Sequence, residues 1–119
     1  LSGAVVLNQN TDFRRLYKRG ASYTNPALAT YVLKNRAGIC RVGITSSKKI
    51  GNAVQRNTSR RKVRAAFAAV YKEYAESLQG YDFVFVCRTK TRLRKSTTLE
   101  KIMIGQLIEA GVIKEKIND

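Results

Sequence analysis

The residues best equipped for chemistry lie at positions 48–64, which read Lys-Lys-Ile-Gly-Asn-Ala-Val-Gln-Arg-Asn-Thr-Ser-Arg-Arg-Lys-Val-Arg. Lys48 and Lys49 lead through Gly51 to Asn52, which with Gln55 three residues later has the spacing of a helix capping box. On the helix that this box predicts, Asn57, Arg60, Arg61 and Arg64 gather on one face, while Arg56 projects toward the apolar side. The planar guanidinium fork suits two-point contacts with phosphate, and the positive amino end of a helix adds its own attraction for anions. Such a face grips a polyanion.

A second set interleaves rings with cations. Phe13 and Tyr17 fall one turn apart among Arg14, Arg15, Lys18 and Arg19, and Tyr31 lies on a predicted strand that could run beside them. Exposed bases of a single-stranded nucleic acid stack on rings in such company. By spacing alone, core packing accounts for the same rings equally well. Equipment for bond breaking is sparse. The chain has no His, and its acids are scattered as Asp12, Glu73, Glu76, Asp82, Glu100, Glu109, Glu115 and Asp119. Glu73 and Glu76, beside Lys72, read as solvated charges. Neither a nucleophile with an activating partner nor a glycine-rich phosphate loop is present. A self-sufficient catalyst is not expected, nor is a cofactor or metal on the protein.

The charge balance agrees. Twenty-three Lys and Arg against 8 Asp and Glu give +15 over 119 residues, and positions 13–72 hold fifteen cations with no acid. That excess repels itself until a polyanion neutralises it, and nucleic acid is the expected partner. Length and 44% hydrophobic content fit a single domain over 1–119. Cys40 and Cys87 sit in apolar stretches without metal-ligand spacing and read as reduced core residues. The apolar runs are far shorter than the ~20 residues of a membrane helix, and no secretory signal is visible, so a cytoplasmic location is expected.

The elements that position these residues follow from punctuation and period. Asn10 or Thr11 caps a first helix that Gly20 ends, with Phe13, Leu16 and Tyr17 as its stripe. Positions 27–33 and 39–45 read as strands joined by a hairpin loop, pairing antiparallel, with Cys40, Val42 and Ile44 toward a core and the other face open. A weaker strand is signalled at 21–24. The long helix after Asn52 carries Val63, Phe67, Val70, Tyr74 and Leu78 inward and stops at Gly80. Positions 81–88, apolar on both faces, predict a strand inside the sheet. Residues 89–95, with Lys90, Arg92, Arg94 and Lys95, read as a solvated basic loop. A second capping box, Thr97 with Glu100, opens a last helix with Leu99, Ile102, Met103 and Leu107 inward. The ends, 1–7 and 112–119, are expected to be loosely held.

The run at 42–64, with Asp12 and Phe13 upstream and Phe83-Val-Phe-Val-Cys-Arg88 downstream, resembles the bacterial ribonuclease P protein component, from about Leu7 to about Leu107. The resemblance implies an α+β, α-β-β-β-α-β-α sandwich with a central mixed sheet. It also implies a left-handed βαβ crossover, against the general right-handed rule. It further implies a non-catalytic subunit, monomeric when free, that joins a catalytic RNA to remove the 5′ leader of precursor tRNA. Mg²⁺-dependent hydrolysis then belongs to the RNA. On this likeness Arg56, Asn57, Arg60, Arg61 and Arg64 face the RNA subunit, with Thr58 standing where the family has a third Arg. Phe13, Tyr17 and Tyr31 line a leader cleft between the first helix and the sheet, and Lys48, Lys49 and Arg88 match further basic positions. Residues 1–7 are uncharged where relatives begin with basic ones. The alternative, a general RNA-binding or ribosome-associated protein, would ignore a 5′ extension.

Overall fold

A strand that is apolar on both faces must be covered on both, and only the middle of a layered sheet offers that. In the computed structural model, which describes residues 3–115, positions 81–87 obey this constraint. The elements in chain order are β1 (Val5–Val6), α1 (Asn10–Arg19), β2 (Ala21–Asn25), β3 (Leu28–Lys34), β4 (Arg41–Thr45), α2 (Ala53–Leu78), β5 (Tyr81–Cys87) and α3 (Ser96–Glu109), with 3₁₀ turns at Lys48–Ile50 and Thr91–Leu93. The sheet runs β1-β4-β5-β3-β2. β5 is antiparallel to β3 and parallel to β4, to which α2 connects it.

The expected hairpin between 27–33 and 39–45 therefore does not form, because β5 inserts between the two strands. The 35–40 link spans about 10 Å, two inter-strand spacings, and is pinned at its start, where Asn35 donates its backbone N–H to the Gly80 carbonyl at 2.8 Å. The weakly signalled strand is β2, and the real hairpin is β2–β3, whose turn is closed by Ala27 N–H donating to Asn25 Oδ1 at 2.8 Å.

A two-residue strand precedes the expected order. Val5 and Val6 pair with Arg41 and Val42, Leu7 donates to the Val42 carbonyl at 2.8 Å, and Leu7 is buried. The loosely held amino end is thus corrected for 5–7. At the other end Val112 and Ile113 are buried and donate to the Leu107 carbonyl, which corrects the expectation there too. Positions 1–2 and 116–119 lie outside the described residues.

α2 and α3 cover one face of the sheet, where Val42, Phe83, Phe85, Val63, Phe67, Val70, Leu99, Met103 and Leu107 are fully or almost fully buried. The predicted stripe of α2 holds, although its backbone leaves helical geometry at Tyr74 (φ −121°, ψ 21°). On α3 the Thr97–Glu100 box is absent; the helix starts at Ser96 without a side-chain cap, so Thr97 already lies within it. The second face is not open as expected, because α1 lies on it with Leu16 against Leu7 and Val84. Gly20 ends α1 through its N–H to the Leu16 carbonyl, at an ordinary φ. What demands glycine there is room, since a Cβ would lie 2.6 Å from that oxygen. Cys40 and Cys87 are free and buried, and burial pushes their thiols up to about 12 and about 11. Among the described residues no helix is long and apolar enough to cross a membrane.

α1 is locked to the sheet by one carboxylate. Asp82, fully buried on β5, accepts from Arg41 Nε and Nη2 at 2.7 and 2.9 Å, from Arg15 Nη2 at 2.7 Å and from Asn35 Nδ2 at 2.8 Å. Burial alone would raise its pKa, but the hydrogen bonds from Arg41, Arg15 and Asn35 outweigh burial and hold the carboxyl below its usual value. A group depressed in the folded state stabilises the fold fully above its unfolded pKa, about 3.9 for Asp, and that stability is lost as pH falls through the folded value. Asp82→Ala, which leaves Arg41 without a carboxylate partner and Arg15 with Asp12 alone, is expected to cost about 3 kcal/mol in urea denaturation at neutral pH. The variant should also lose stability less steeply than the parent on acidification below about pH 4. An unchanged midpoint and acid limb would show that α1 is held by other contacts.

Candidate nucleic-acid interface

α1 covers only part of the second face. Phe13 lies over β4 at Gly43, where a Cβ would fall 2.8 Å from its ring, so glycine is required for the approach. From Phe13 a line of rings runs along the helix edge and onto the sheet. Phe13 and Tyr17 are 6.5 Å apart between centroids, and Tyr17 meets Tyr31 edge-on at 4.9 Å. Phe13 and Tyr31 are half-buried, whereas Tyr17 is 43% exposed. Phe13 and Tyr31 pack against the small cluster of Leu7, Leu16 and Val84, while Tyr17 stays exposed to solvent. Partial burial and the neighbouring Tyr31 raise the Tyr17 phenol above its ordinary value.

Beyond the rings the sheet surface continues. Ala29 and Val86, in register on β3 and β5, floor an open depression of about 340 Å³ bordered by Tyr31, Thr24, Lys49 and Arg88. Lys49 comes from the 3₁₀ turn after β4 and Arg88 from the end of β5; the parallel β4–β5 pairing brings them to one site. Around Arg88 this depression adjoins another lined by Thr24, Asn25, Thr89 and Lys90. An apolar floor, ring walls and cationic rims can hold bases and phosphates of an extended strand.

The α2 face begins with the predicted capping box. Asn52 Oδ1 accepts from Gln55 N, and Gln55 Oε1 accepts from Asn52 N, each at 2.9 Å. Gly51, at φ 138°, makes room for that Gln55 carbonyl, which a Cβ would meet at 1.9 Å. Ile50 is buried and anchors the turn, leaving Lys48 and Lys49 exposed. The predicted cations then divide. Arg56, half-buried as its place on the wheel predicts, donates to the Gly51 carbonyl at 2.7 Å. Arg60 donates to Ser46 Oγ at 2.6 Å and also to Asn57 Oδ1. These two brace the loop that carries Lys48 and Lys49, each with further guanidinium donors in reserve. Arg61 and Arg64 are exposed, and Thr58 is half-buried.

Arg64 joins the two faces, because it lines a depression with Phe13, Asn8 and Ile44 at the free end of β4. Lys48 and Arg61 line none of these depressions. Sequence reasoning set Arg14 among the cations around the rings without giving it a site role; it lines a groove with Phe13, Tyr17 and Thr45 and stands three residues before Tyr17, the spacing of helical neighbours. Sequence reasoning missed the engagement of Arg15 and Arg41 with Asp82. The available signal was Asp82 itself, a lone acid in a strand with no open face, which requires partners. Among the described residues no three His, Cys, Asp or Glu stand together as metal ligands.

A family model described as Ribonuclease P matches residues 1–110. The chain is 36% identical over 106 residues to the ribonuclease P protein component of Clostridium botulinum (strain Langeland), covering 89% of this chain and 94% of that protein. It is 41% identical over 86 residues to the component from Clostridioides difficile (strain 630), covering 72% and 74%. The solved structure of the Staphylococcus aureus RNase P protein superposes with a TM-score of 0.75 at 29% identity, covering 92% of this chain and 97% of that one.

The close contact of Phe13 with β4 gives a test that needs no ligand. Gly43→Ala is expected to push the ring and α1 off the sheet, lowering stability by about 1–3 kcal/mol and changing the ring-current shifts of Phe13, Tyr17 and Tyr31 together in NMR spectra. A variant with parent stability and unmoved aromatic resonances would show that the ring is not held against the strand.

Proposed function

The chain belongs to the ribonuclease P protein family and is the protein component of an endoribonuclease of tRNA processing; from that premise we propose that it is a non-catalytic subunit gripping two RNAs at once. Arg56, Asn57, Arg60, Arg61 and Arg64 on α2 dock the catalytic RNA, while Phe13, Tyr17 and Tyr31 hold the single-stranded 5′ leader of precursor tRNA. Hydrolysis, with its Mg²⁺, belongs to the RNA. The observation that carries the reading is the continuous line of rings ending at an apolar depression rimmed by Lys49 and Arg88.

The chemistry of the protein is then binding and electrostatics. The phenol and phenyl rings stack bases without sequence preference, and Lys49, Arg88 and Arg14 neutralise the phosphates between them. Leader contacts are lost once the leader is cut, so this grip favours precursor over product. Protein cations on crowded phosphates also replace part of the screening that Mg²⁺ would otherwise supply. At Thr58 the family's third arginine is missing, so one phosphate contact is either lost or supplied by the neighbouring Arg60 or Arg61.

The decisive experiment mixes the protein with its cognate catalytic RNA at low Mg²⁺ and follows 5′-leader cleavage, with each component alone as a control. Efficient cleavage only in the mixture is expected; cleavage by the protein alone would overturn the auxiliary role. Tyr31→Ala is expected to weaken precursor binding by about 1 kcal/mol or more without changing affinity for mature tRNA. Equal affinity of the parent for precursor and mature tRNA would instead favour a general RNA-binding protein.

A further inference from the structure

Four cations, Lys90, Arg92, Arg94 and Lys95, crowd six residues of the loop between β5 and α3. Like charges at that density repel, and an untethered segment would splay into solvent. The fold holds it down from two sides. Within the 3₁₀ turn Thr91–Leu93, the fully buried Thr91 donates its hydroxyl to the Ala27 carbonyl at 2.6 Å and accepts from Arg88 N at 2.8 Å. From the opposite side Lys62 of α2 donates its ammonium to the carbonyls of Arg92 and Arg94 at 2.6 and 3.0 Å.

A cation from the most basic helix is therefore used to draw a basic loop against that helix. This arrangement is electrostatically unfavourable until an anion covers both. All four loop side chains are exposed, and the carboxylates of Asp12 and Asp82 are engaged with Arg15 and Arg41 on the α1 side of the sheet. At one end the loop borders the Arg88 depression through Lys90; at the other, Lys62 holds it against α2.

We infer that residues 90–95 form a second phosphate-gripping surface, which docks folded RNA of the catalytic subunit and carries the α2 face around the end of the sheet. The inference rests on the proposed reading of the chain as an RNA-binding subunit. A backbone already fixed by Thr91 and Lys62 loses little freedom on binding, which is how preorganisation converts charge into affinity. Arg92 and Arg94 present forks suited to two-point phosphate contacts.

The test measures affinity of the full chain for ribonuclease P RNA across a salt series. The parent is compared with the triple variant Arg92→Ala/Arg94→Ala/Lys95→Ala and with Lys62→Met, folding being checked by circular dichroism. The triple variant is expected to bind about tenfold or more weakly, with the slope of log K against log salt shallower by about two to three. Lys62→Met keeps every loop charge and is expected to bind several-fold more weakly, with faster amide exchange at 92–95. Unchanged affinity and slope in the triple variant, while the parent binds well, would overturn this inference and leave the proposed function standing. A triple variant that keeps its RNA affinity and loses only binding to phosphatidylcholine vesicles containing phosphatidylglycerol would overturn it in the same way. Failure of the parent to bind the RNA would overturn both.

Discussion

A carboxylate in the middle of a sheet is unfavourable unless its charge and lone pairs are met on the spot. Asp82 meets that demand with groups from three other places in the chain: Arg15 on α1, Arg41 on β4 and Asn35 on the link that crosses the end of β5. An apolar cluster alone could hold α1 on the sheet with similar strength. The two-point contact of Arg41 and the single one of Arg15 add orientation, because a rotation of α1 that removes Arg15 from Asp82 leaves a buried charge undercompensated. Leu16 and Tyr17 follow Arg15 directly, so the same contact that orients the helix sets the height of its rings above Val84 and Tyr31. Fold stability and cleft geometry thus share one interaction.

What could be read from the sequence was whatever is local. The capping box of Asn52 and Gln55, the stripe from Val63 to Leu78 and the inward position of β5 are patterns within a few turns or one strand. The pairing of β3 with β4 failed for a complementary reason. Two strand-like runs with a short link look like a hairpin until a third strand, some forty residues further on, proves more apolar and takes the place between them. The two-residue β1 is too short to leave a periodic signal. At the candidate site, Phe13 and Tyr17 were legible as helical neighbours, but the meeting of Tyr17 with Tyr31, and of Lys49 with Arg88, depends on which strands are adjacent. That information lies in long-range pairing.

The basic excess is less uniform than its count implies. Arg15 and Arg41, both partly exposed, are neutralised by the buried Asp82. Arg56, Arg60 and Lys62 direct donors to a carbonyl, a hydroxyl and two further carbonyls, tying loops to α2 without any acid. Cations used in this way organise the backbone while keeping their full charge, so the surface potential is undiminished and the fold remains self-repelling. A polyanion that neutralises the α2 face relieves this repulsion, and binding and folding are then linked in the ordinary sense: what binds only the native state stabilises it.

Two glycines explain how the faces keep their spacing. Gly43 admits the Phe13 ring against β4, and Gly51 admits the Gln55 carbonyl at the start of α2. Between them the chain finishes β4, makes the turn that presents Lys48 and Lys49, and is braced by Arg56 and Arg60 from the helix. One short segment therefore connects the ring line to the arginine face, and Phe13 and Arg64 meet in a depression at its side. A hinge in this segment would let a strand on the rings and a folded RNA on α2 move independently. The braces act against such movement. In the proposed role, the separation between leader and catalytic RNA is thus fixed by the backbone of residues 43–51, and the protein works as a rigid spacer as well as a source of charge.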